Sequence, residues 1–353
     1  MGSVKDLEVI QKPTLTEMGT GRFVFSDRYS VFDWGEMPDH IEGKGAALCL
    51  MGAYCFEQLE KIGVKTHYKG LVNEKGKAVK VSELKAPSNI MEVALVNVYR
   101  PKTNVVANGK IIHDYSMYTS TLKNCLIPLE IIYRNGLPEG SSVFKRLAQG
   151  KLTLKDLGID HQPKPGETLS KPIFDVSTKL EETDRYITWT EAQKIAGVTD
   201  LELTNIKSVL LKADETITRV AAKAGLKNED GKIELAFDDK RKLIIVDVLG
   251  TLDECRFTYE GVHVSKEVAR QFYKKTGWYN DLEHAKKDAE AKGVQDWKSL
   301  CNSQPPKLDP NLKTIISQMY MAVANEMTNI KLFNTPNLAK IISAYRDFMG
   351  EKA

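Results

Sequence analysis

No run in this chain approaches the roughly 18 apolar residues of a membrane span, and its amino terminus, Met-Gly-Ser-Val-Lys-Asp, has no apolar signal region. Asp6 stands where a myristoylation motif wants Ser or Thr. A cytoplasmic protein with no membrane partner is therefore expected. Cysteine is scarce as well. Cys49, Cys55, Cys125, Cys255 and Cys301 are odd in number and never spaced Cys-x-x-Cys, which excludes a disulfide framework and a zinc knuckle and leaves reduced thiols. A charge excess of one sign is missing: 50 basic and 47 acidic residues leave +3. That balance is too even to attract nucleic acid, so any anion site must be local. Phosphate-loop signatures are absent too, because Gly19-Thr20-Gly21-Arg22 lacks the third glycine and following helix of a dinucleotide fingerprint and no Walker A sequence occurs. If ATP binds, separate strands and a metal must hold its phosphates.

What is present suits two lobes, with 353 residues of 42% hydrophobic content. Residues 21–34 read as an aromatic and β-branched strand running into a polar turn that ends at Asp33. Leu48, Met51, Cys55, Leu59 and Ile62 recur at helical spacing over 44–62, with Gly63 as the stop. Strands are expected near 65–72, 77–81 and 90–99. Residues 101–126, rich in Asn, Thr, Gly and Tyr, read as an exposed insertion. Leu126–Arg134 is a strong strand, and 152–171 a loop. Thr199-Asp200 begins a long helix whose stripe is Ile206, Leu210, Ala213, Ile217, Val220 and Ala224. A hairpin follows over 232–237 and 242–248. Ser265 then caps a helix, a charged helix covers 280–302, and two more helices close the chain.

Three charged clusters point toward chemistry: 27–33, Asp230-Gly231-Lys232-Ile233-Glu234, and 247–256. The last two place charges inside strand-like apolar runs, where burial gains nothing unless a cation or phosphate lies opposite. With Phe237 opposite Lys242, Lys232 faces Asp247, and strand periodicity adds Glu234 to the same face. Glu234 and Asp247 then offer oxygen ligands for one Mg²⁺, and Lys232 a phosphate contact. The same pattern also describes the solvent face of an amphipathic hairpin. Lys266 and Arg270, four apart at a helix start, suit a phosphate. Arg134, followed by the Gly140-Ser141-Ser142 turn and Lys145-Arg146, suits a phosphate or carboxylate.

Taken in order, Ser26–Asp33 with Gly43-Lys44-Gly45, Thr66-His67, Pro128–Asn135 with Ser142–Arg146, Pro172–Lys179, Asp230–Glu234, Asp247–Arg256 and Ser265–Arg270 resemble the SAICAR synthetase (phosphoribosylaminoimidazole-succinocarboxamide synthase) family. The resemblance implies an α+β, two-lobed, ATP-grasp-like fold. A small antiparallel lobe, 1–100, covers ATP; 101–126 is an insertion; 127–353 is a larger lobe with the substrate site and extra C-terminal helices. It also implies an ATP-dependent ligase that joins carboxyaminoimidazole ribonucleotide to L-aspartate in purine biosynthesis, with Mg²⁺ as cofactor and a homo-oligomer as the expected assembly. By this likeness Glu234 and Asp247 bind the metal, and Lys12, Lys232, Glu234 and Asp247 serve the nucleotide. Of the two amino-terminal lysines, Lys5 and Lys12, the second is assigned to the ATP phosphates. Asp33, Arg134, Ser142, Lys179, Asp184, Asp253, Arg256, Lys266 and Arg270 match the family's substrate-pocket elements. The chain departs from the pattern at Leu252, where the family has proline, at Thr183-Asp184, which lacks a histidine, and at Ser141, which replaces glycine. The alternatives are a small-molecule kinase on a related scaffold and a non-catalytic nucleotide-sensing module.

Overall fold

Alternating apolar residues and a glycine-permitted close approach build the first half of the chain. The computed structural model describes residues 4–105, 111–264, 266–294 and 296–350. Strands β1 (Lys5–Gln11) and β2 (Gly19–Phe25), helix α1 (Lys44–Lys61), and strands β3 (Tyr68–Val72), β4 (Ala78–Val79) and β5 (Ile90–Leu95) come first. The strands form one antiparallel sheet in the order β1-β2-β5-β3-β4. α1 is buried along most of its length because it lies between this sheet and helices from the second half. A Cβ on Gly45 would stand 2.8 Å from the carbonyl oxygen of Phe25, so only glycine lets α1 start this close to β2.

Next come a two-stranded ribbon, β6 (Lys102–Val105) and β7 (Ile111–Asp114), then strand β8 (Cys125–Leu137), short helices α2 (Ser142–Ala148) and α3 (Leu154–Leu157), strand β9 (Glu167–Thr178), and helices α4 (Trp189–Ala196) and α5 (Asp200–Ala222). Strands β10 (Lys227–Phe237), β11 (Leu243–Val246), β12 (Cys255–Tyr259) and β13 (Val262–His263) complete the second sheet, and helices α6 (Glu267–Lys274), α7 (Gly277–Lys292), α8 (Pro310–Thr328) and α9 (Leu338–Met349) end the chain. The second sheet runs β13-β12-β10-β8-β9, with β11 also pairing β10. Thr199 and Glu202 form a capping box at the start of α5, and its buried stripe of Ile206, Leu210, Ala213, Ile217 and Val220 seats it under this sheet. The fold is α+β, built of antiparallel sheets and helices. One apolar core runs through both sheets, α1, α5, α8 and α9, and backbone bonds join the sheets at His67 N to Ile245 O (2.9 Å) and Leu126 N to Asn97 O (2.9 Å). Among the described residues no helix is long and apolar enough to cross a membrane.

Several expectations are corrected here. The hairpin is one residue out of the expected register: Phe237 faces Leu243 and Glu234 faces Val246, so Lys232 and Asp247 are not paired. The cause is the turn. Asp238 Oδ1 accepts from the amides of Lys240 and Lys242, and Arg241 at φ 56° adds a left-handed residue that lengthens the connection. The region expected as loop over 152–171 includes α3 and the start of β9. Ser265, expected as a cap, lies outside the described residues, and Lys266 occupies the cap position without a side-chain bond.

The expected insertion divides in two. Only the ribbon over 102–114 stands apart as its own small sheet. Tyr115, Tyr118, Asn124 and Cys125 are buried. Asn124 takes up a left-handed conformation, φ 51°, and donates from Nδ2 to the carbonyls of Thr14 and Glu17, both at 2.7 Å. Replacing 102–112 by a short Gly-Ser link should therefore leave the urea midpoint almost unchanged, whereas Asn124→Ala should cost about 1–2 kcal/mol, because a fully buried side chain loses the two hydrogen bonds that tie it to the 14–17 turn. Urea unfolding of both variants checks this. A loss below about 0.5 kcal/mol for Asn124→Ala would show that the segment is not an anchor.

Candidate active site

Strand alternation gathers the charges. Cross-strand partners share a face, so Arg134 with Asp230 and Glu130 with Glu234, paired between β8 and β10, lie on one side of the second sheet together with Lys232 and with Asp175 of β9, which faces Ile132. The other side carries Ile131, Tyr133, Ile233 and Leu235, all buried, toward α5. β10 also changes partner on its second edge: residues 227–231 pair with β12 and 234–237 with β11, and the charged side chains flank that fork.

Glu130 and Glu234 are like charges directly opposite each other, which is unfavourable unless cations intervene. Lys179 does so, 3.0 Å from Glu130 and 2.6 Å from Glu234, and Lys232 adds a bond of 2.8 Å to Glu130. Burial opposes ionisation of Glu130, yet Lys232 and Lys179 hold its carboxyl below the usual range. Burial works against the charge of both lysines, yet Glu234 and Glu130 hold Lys179 above its usual range, and Glu254 and Glu130 do the same for Lys232. Asp247, at φ 61°, follows the end of β11 and pairs with Lys5 at 2.8 Å. Burial, and next the charge of Asp247, push the Glu234 carboxyl up to about 7, while Lys5 keeps Asp247 low against the effect of burial. Asp184, at the rim, is raised by partial burial and by Glu130.

At the other end of β10, three arginines converge on two carboxylates. Arg134 lies 3.2 Å from both Asp230 and Asp175 and donates to Ser142 Oγ at 3.3 Å. Arg146 meets Asp175, and Arg256 meets Asp230 from Nε at 2.8 Å. Ser142 opens α2, whose cap is Ser141. A third corner holds Asp253, Lys44, Tyr320 and Lys266. Lys44 is fully buried and donates to Asp253 Oδ2 at 2.7 Å. Arg270 pairs with Glu267 on its own helix at 3.2 Å. Asp33 stands at the edge with a side chain 90% exposed and Lys286 at 3.4 Å. Phe32 and Asp33 are both left-handed, φ 54° and 61°, a strained pair of the kind that persists only where surroundings impose it. Lys286 donating to the Phe32 carbonyl at 3.0 Å and the packing of Trp34 on Trp278 and Trp297 supply that constraint.

The two amino-terminal lysines weighed for the ATP phosphates lie in different surroundings. Lys12 is exposed beyond the end of β1, while Lys5, seven residues earlier, reaches the Glu234–Asp247 pair. β1 is an edge strand paired with β2 along its whole length, with a register shift between Val9 and Gln11, and it is its first residue, Lys5, that meets the charged face. Sequence reasoning passed over Glu130 and Asp175, although a lone acid within an apolar strand, four residues from Arg134 in one case, was a readable sign. Nothing in the sequence pointed to Tyr320. Among the described residues no group of three or more His, Cys, Asp or Glu side chains is arranged to hold a metal. Glu234 and Asp247 nevertheless fit one Mg²⁺: both are oxygen donors, their mutual repulsion raises Glu234, and Mg²⁺ typically takes one or two carboxylates and fills its remaining positions with phosphates and water.

Comparison with known proteins decides the family. The SAICAR synthetase family model matches residues 14–290, and a relative from Archaeoglobus fulgidus is 47% identical over 349 residues, covering 99% of this chain and 100% of its own length. The chain belongs to the SAICAR synthetase family. Phosphoribosylaminoimidazole-succinocarboxamide synthase of Thermoplasma volcanium is 32% identical over 316 residues, 88% of this chain and 93% of its own. Among solved structures, SAICAR synthase of Saccharomyces cerevisiae complexed with SAICAR aligns with a TM-score of 0.60 at 20% identity, over 93% of each chain. A SAICAR synthetase in complex with ADP aligns at 0.55 and 20%, over 87% of this chain and 99% of that one. These two support the fold. Helices α8 and α9 lie outside the span that the SAICAR synthetase model matches.

The raised Glu234 carboxyl has a consequence for stability. A folded value of about 7 against an ordinary 4.5 means that the folded chain keeps a proton the unfolded chain has released. This contribution is complete below pH 4.5 and is lost as pH rises through about 7. The thermal midpoint of the wild type relative to Glu234→Gln should therefore fall between pH 4.5 and 7.5, measured without nucleotide. A difference that does not change with pH would contradict the assignment.

Proposed function

We propose that the charged face of the second sheet binds ATP at its Lys5–Lys179–Glu234–Asp247 end and the carboxylated imidazole ribonucleotide at its Arg134–Ser142–Arg256 end. The activity is that of a phosphoribosylaminoimidazole-succinocarboxamide synthase, an ATP-dependent ligase of purine biosynthesis. The observation that carries the placement is the segregation of charge along β10. Asp230 and Glu234 are four residues, about 13 Å, apart at ~3.3 Å per residue, and each end gathers its own cations. Beyond Glu234 the same strand runs into a small apolar cluster of Leu126, Ala236, Ile244 and Val246, fringed by Met18, Val96 and Leu180. That shelf suits an adenine ring. The family relative with bound ADP accords with this reading.

On this reading the first sheet is the small lobe that covers ATP, and the second sheet with its helices is the larger, substrate-binding lobe of an ATP-grasp-like pair. Glu234 and Asp247 would hold Mg²⁺, whose charge would offset that gathering on the phosphates. A carboxylate is a poor electrophile. Transfer of the γ-phosphoryl group forms a bond from the substrate carboxylate oxygen to phosphorus and breaks the bond to the β-phosphate, giving an acyl phosphate and ADP. The aspartate amine then attacks the carbonyl carbon, the amine loses a proton, and inorganic phosphate leaves. Lys5 and Lys179 orient the phosphates, Arg134 and Arg256 the ribonucleotide anion, and Lys266 and Asp33 border the acceptor side. Fixing three reactants in this way supplies much of the rate through positioning alone.

Incubation with ATP, Mg²⁺, L-aspartate and the carboxylated ribonucleotide, followed by mass detection, should give the succinocarboxamide and release ADP only when aspartate is present. ADP release independent of aspartate would favour a kinase. Within this assay Lys5→Met should raise the ATP KM by about tenfold or more, as expected for loss of a charged hydrogen bond, and Lys12→Met should leave it unchanged. The opposite pattern would return the phosphate role to Lys12.

A further inference from the structure

Helix α8 lies beyond the residues that the family model matches, yet one of its side chains enters the polar interior of the site. Tyr320 is 1% exposed, and its hydroxyl donates to Asp253 Oδ1 at 2.6 Å. Lys44 takes the other oxygen, Oδ2, at 2.7 Å, with its ammonium 5.5 Å from the Tyr320 ring centre. Both oxygens of Asp253 are thus engaged by fully buried groups of the protein. Lys266 is the cation for which this matters. Its amide donates to the carbonyl of Leu252, the residue before Asp253, at 3.5 Å, and it feels the charges of Asp253 and Glu254, together with those of Arg270 and Lys232, but among the described residues its ammonium has no ion-pair partner within 4 Å. Its neighbours are already committed: Glu254 is beside Lys232 at 3.5 Å, and Arg270 is on Glu267.

A buried carboxylate held at both oxygens keeps one orientation, whereas one released at Oδ1 can turn toward a neighbouring ammonium and close into an ion pair. From these contacts we infer that Tyr320 is a positioning residue. By anchoring Asp253 Oδ1 it fixes the carboxylate in the orientation that does not reach Lys266, and leaves that ammonium open to an anionic group of the ribonucleotide or of aspartate. This rests on the function proposed above and adds to it a residue from outside the matched span. It also gives α8 a role in the site besides packing on α1.

The test is steady-state kinetics of Tyr320→Phe, Lys266→Met and the double variant, with ATP, ribonucleotide and aspartate varied separately. Tyr320→Phe should raise KM for the ribonucleotide or for aspartate by roughly tenfold, the size of one charged hydrogen bond, while lowering kcat much less and leaving the ATP KM within about twofold. Which of the two KM values moves identifies the anion. Lys266→Met should raise the same KM, and adding Tyr320→Phe to it should have little further effect, since the two act through one contact. Independent, multiplying effects of the two changes would overturn the inference, as would a Tyr320→Phe enzyme with both KM values unchanged or with all three KM values and kcat altered alike. Should Tyr320→Phe fail to fold, Lys266→Met still decides, because an unchanged KM for both substrates there removes the basis of the proposal. A wild-type enzyme that makes no succinocarboxamide would instead refute the underlying function.

Discussion

Charge compensation across β10 is the constraint on which the rest of the molecule depends. Asp230, Lys232 and Glu234 project from one face of a buried strand, opposite Arg134 and Glu130. An uncompensated charge in such a place costs several kcal/mol. The compensating groups come from every part of the chain: Lys5 from β1, Lys179 from the end of β9, Arg146 from α2, and Glu254 and Arg256 from the segment entering β12 and from β12 itself. Folding therefore has to bring the amino-terminal sheet and the larger sheet together before the charges are satisfied. The shared apolar core and the backbone bonds at His67 and Leu126 are consistent with that requirement.

Much of this was legible from local pattern. The stripe of α5, its Thr199 cap, the strand through Arg134 and the helix over 44–61 follow from periodicity and capping, which depend on near neighbours in sequence. What escaped depended on longer reach. The hairpin register turned on how Asp238 bonds the amides two and four residues on, a matter of one extra left-handed residue. Glu234 and Asp247 are nonetheless coupled, because the chain turns at Asp247 instead of continuing the ladder. The choice between Lys5 and Lys12 needed the direction of an edge strand relative to a second sheet. Glu130 and Asp175 were visible as acids in apolar strands, but their cations lie 49 and 41 residues away in the cases of Lys179 and Arg134, and no spacing rule links them.

The closing helices were the least readable part, and they attach to the site in different ways. α7 holds the strained Phe32-Asp33 turn through aromatic packing and Lys286, while α8 sends a phenol into the Asp253 corner. Neither contact has a sequence signature, since an isolated tyrosine or tryptophan in an amphipathic helix reads first as core. α7 lies almost wholly within the matched family span, 14–290, and α8 beyond it, so only α8 ties an added helix to the site.

The lysines at the proposed nucleotide end are paired to the carboxylates proposed to hold the metal: Lys5 to Asp247 and Lys179 to Glu234. The central claim is that these pairs stand in for phosphate and Mg²⁺ and open when both bind. A crystal structure with ADP or a non-hydrolysable ATP analogue and Mg²⁺ tests it most directly. The account predicts one ion bound by Glu234 and Asp247 at about 2.1 Å, with Lys5 and Lys179 moved onto the phosphates. Nucleotide bound with both ion pairs intact and no metal on these carboxylates would contradict it.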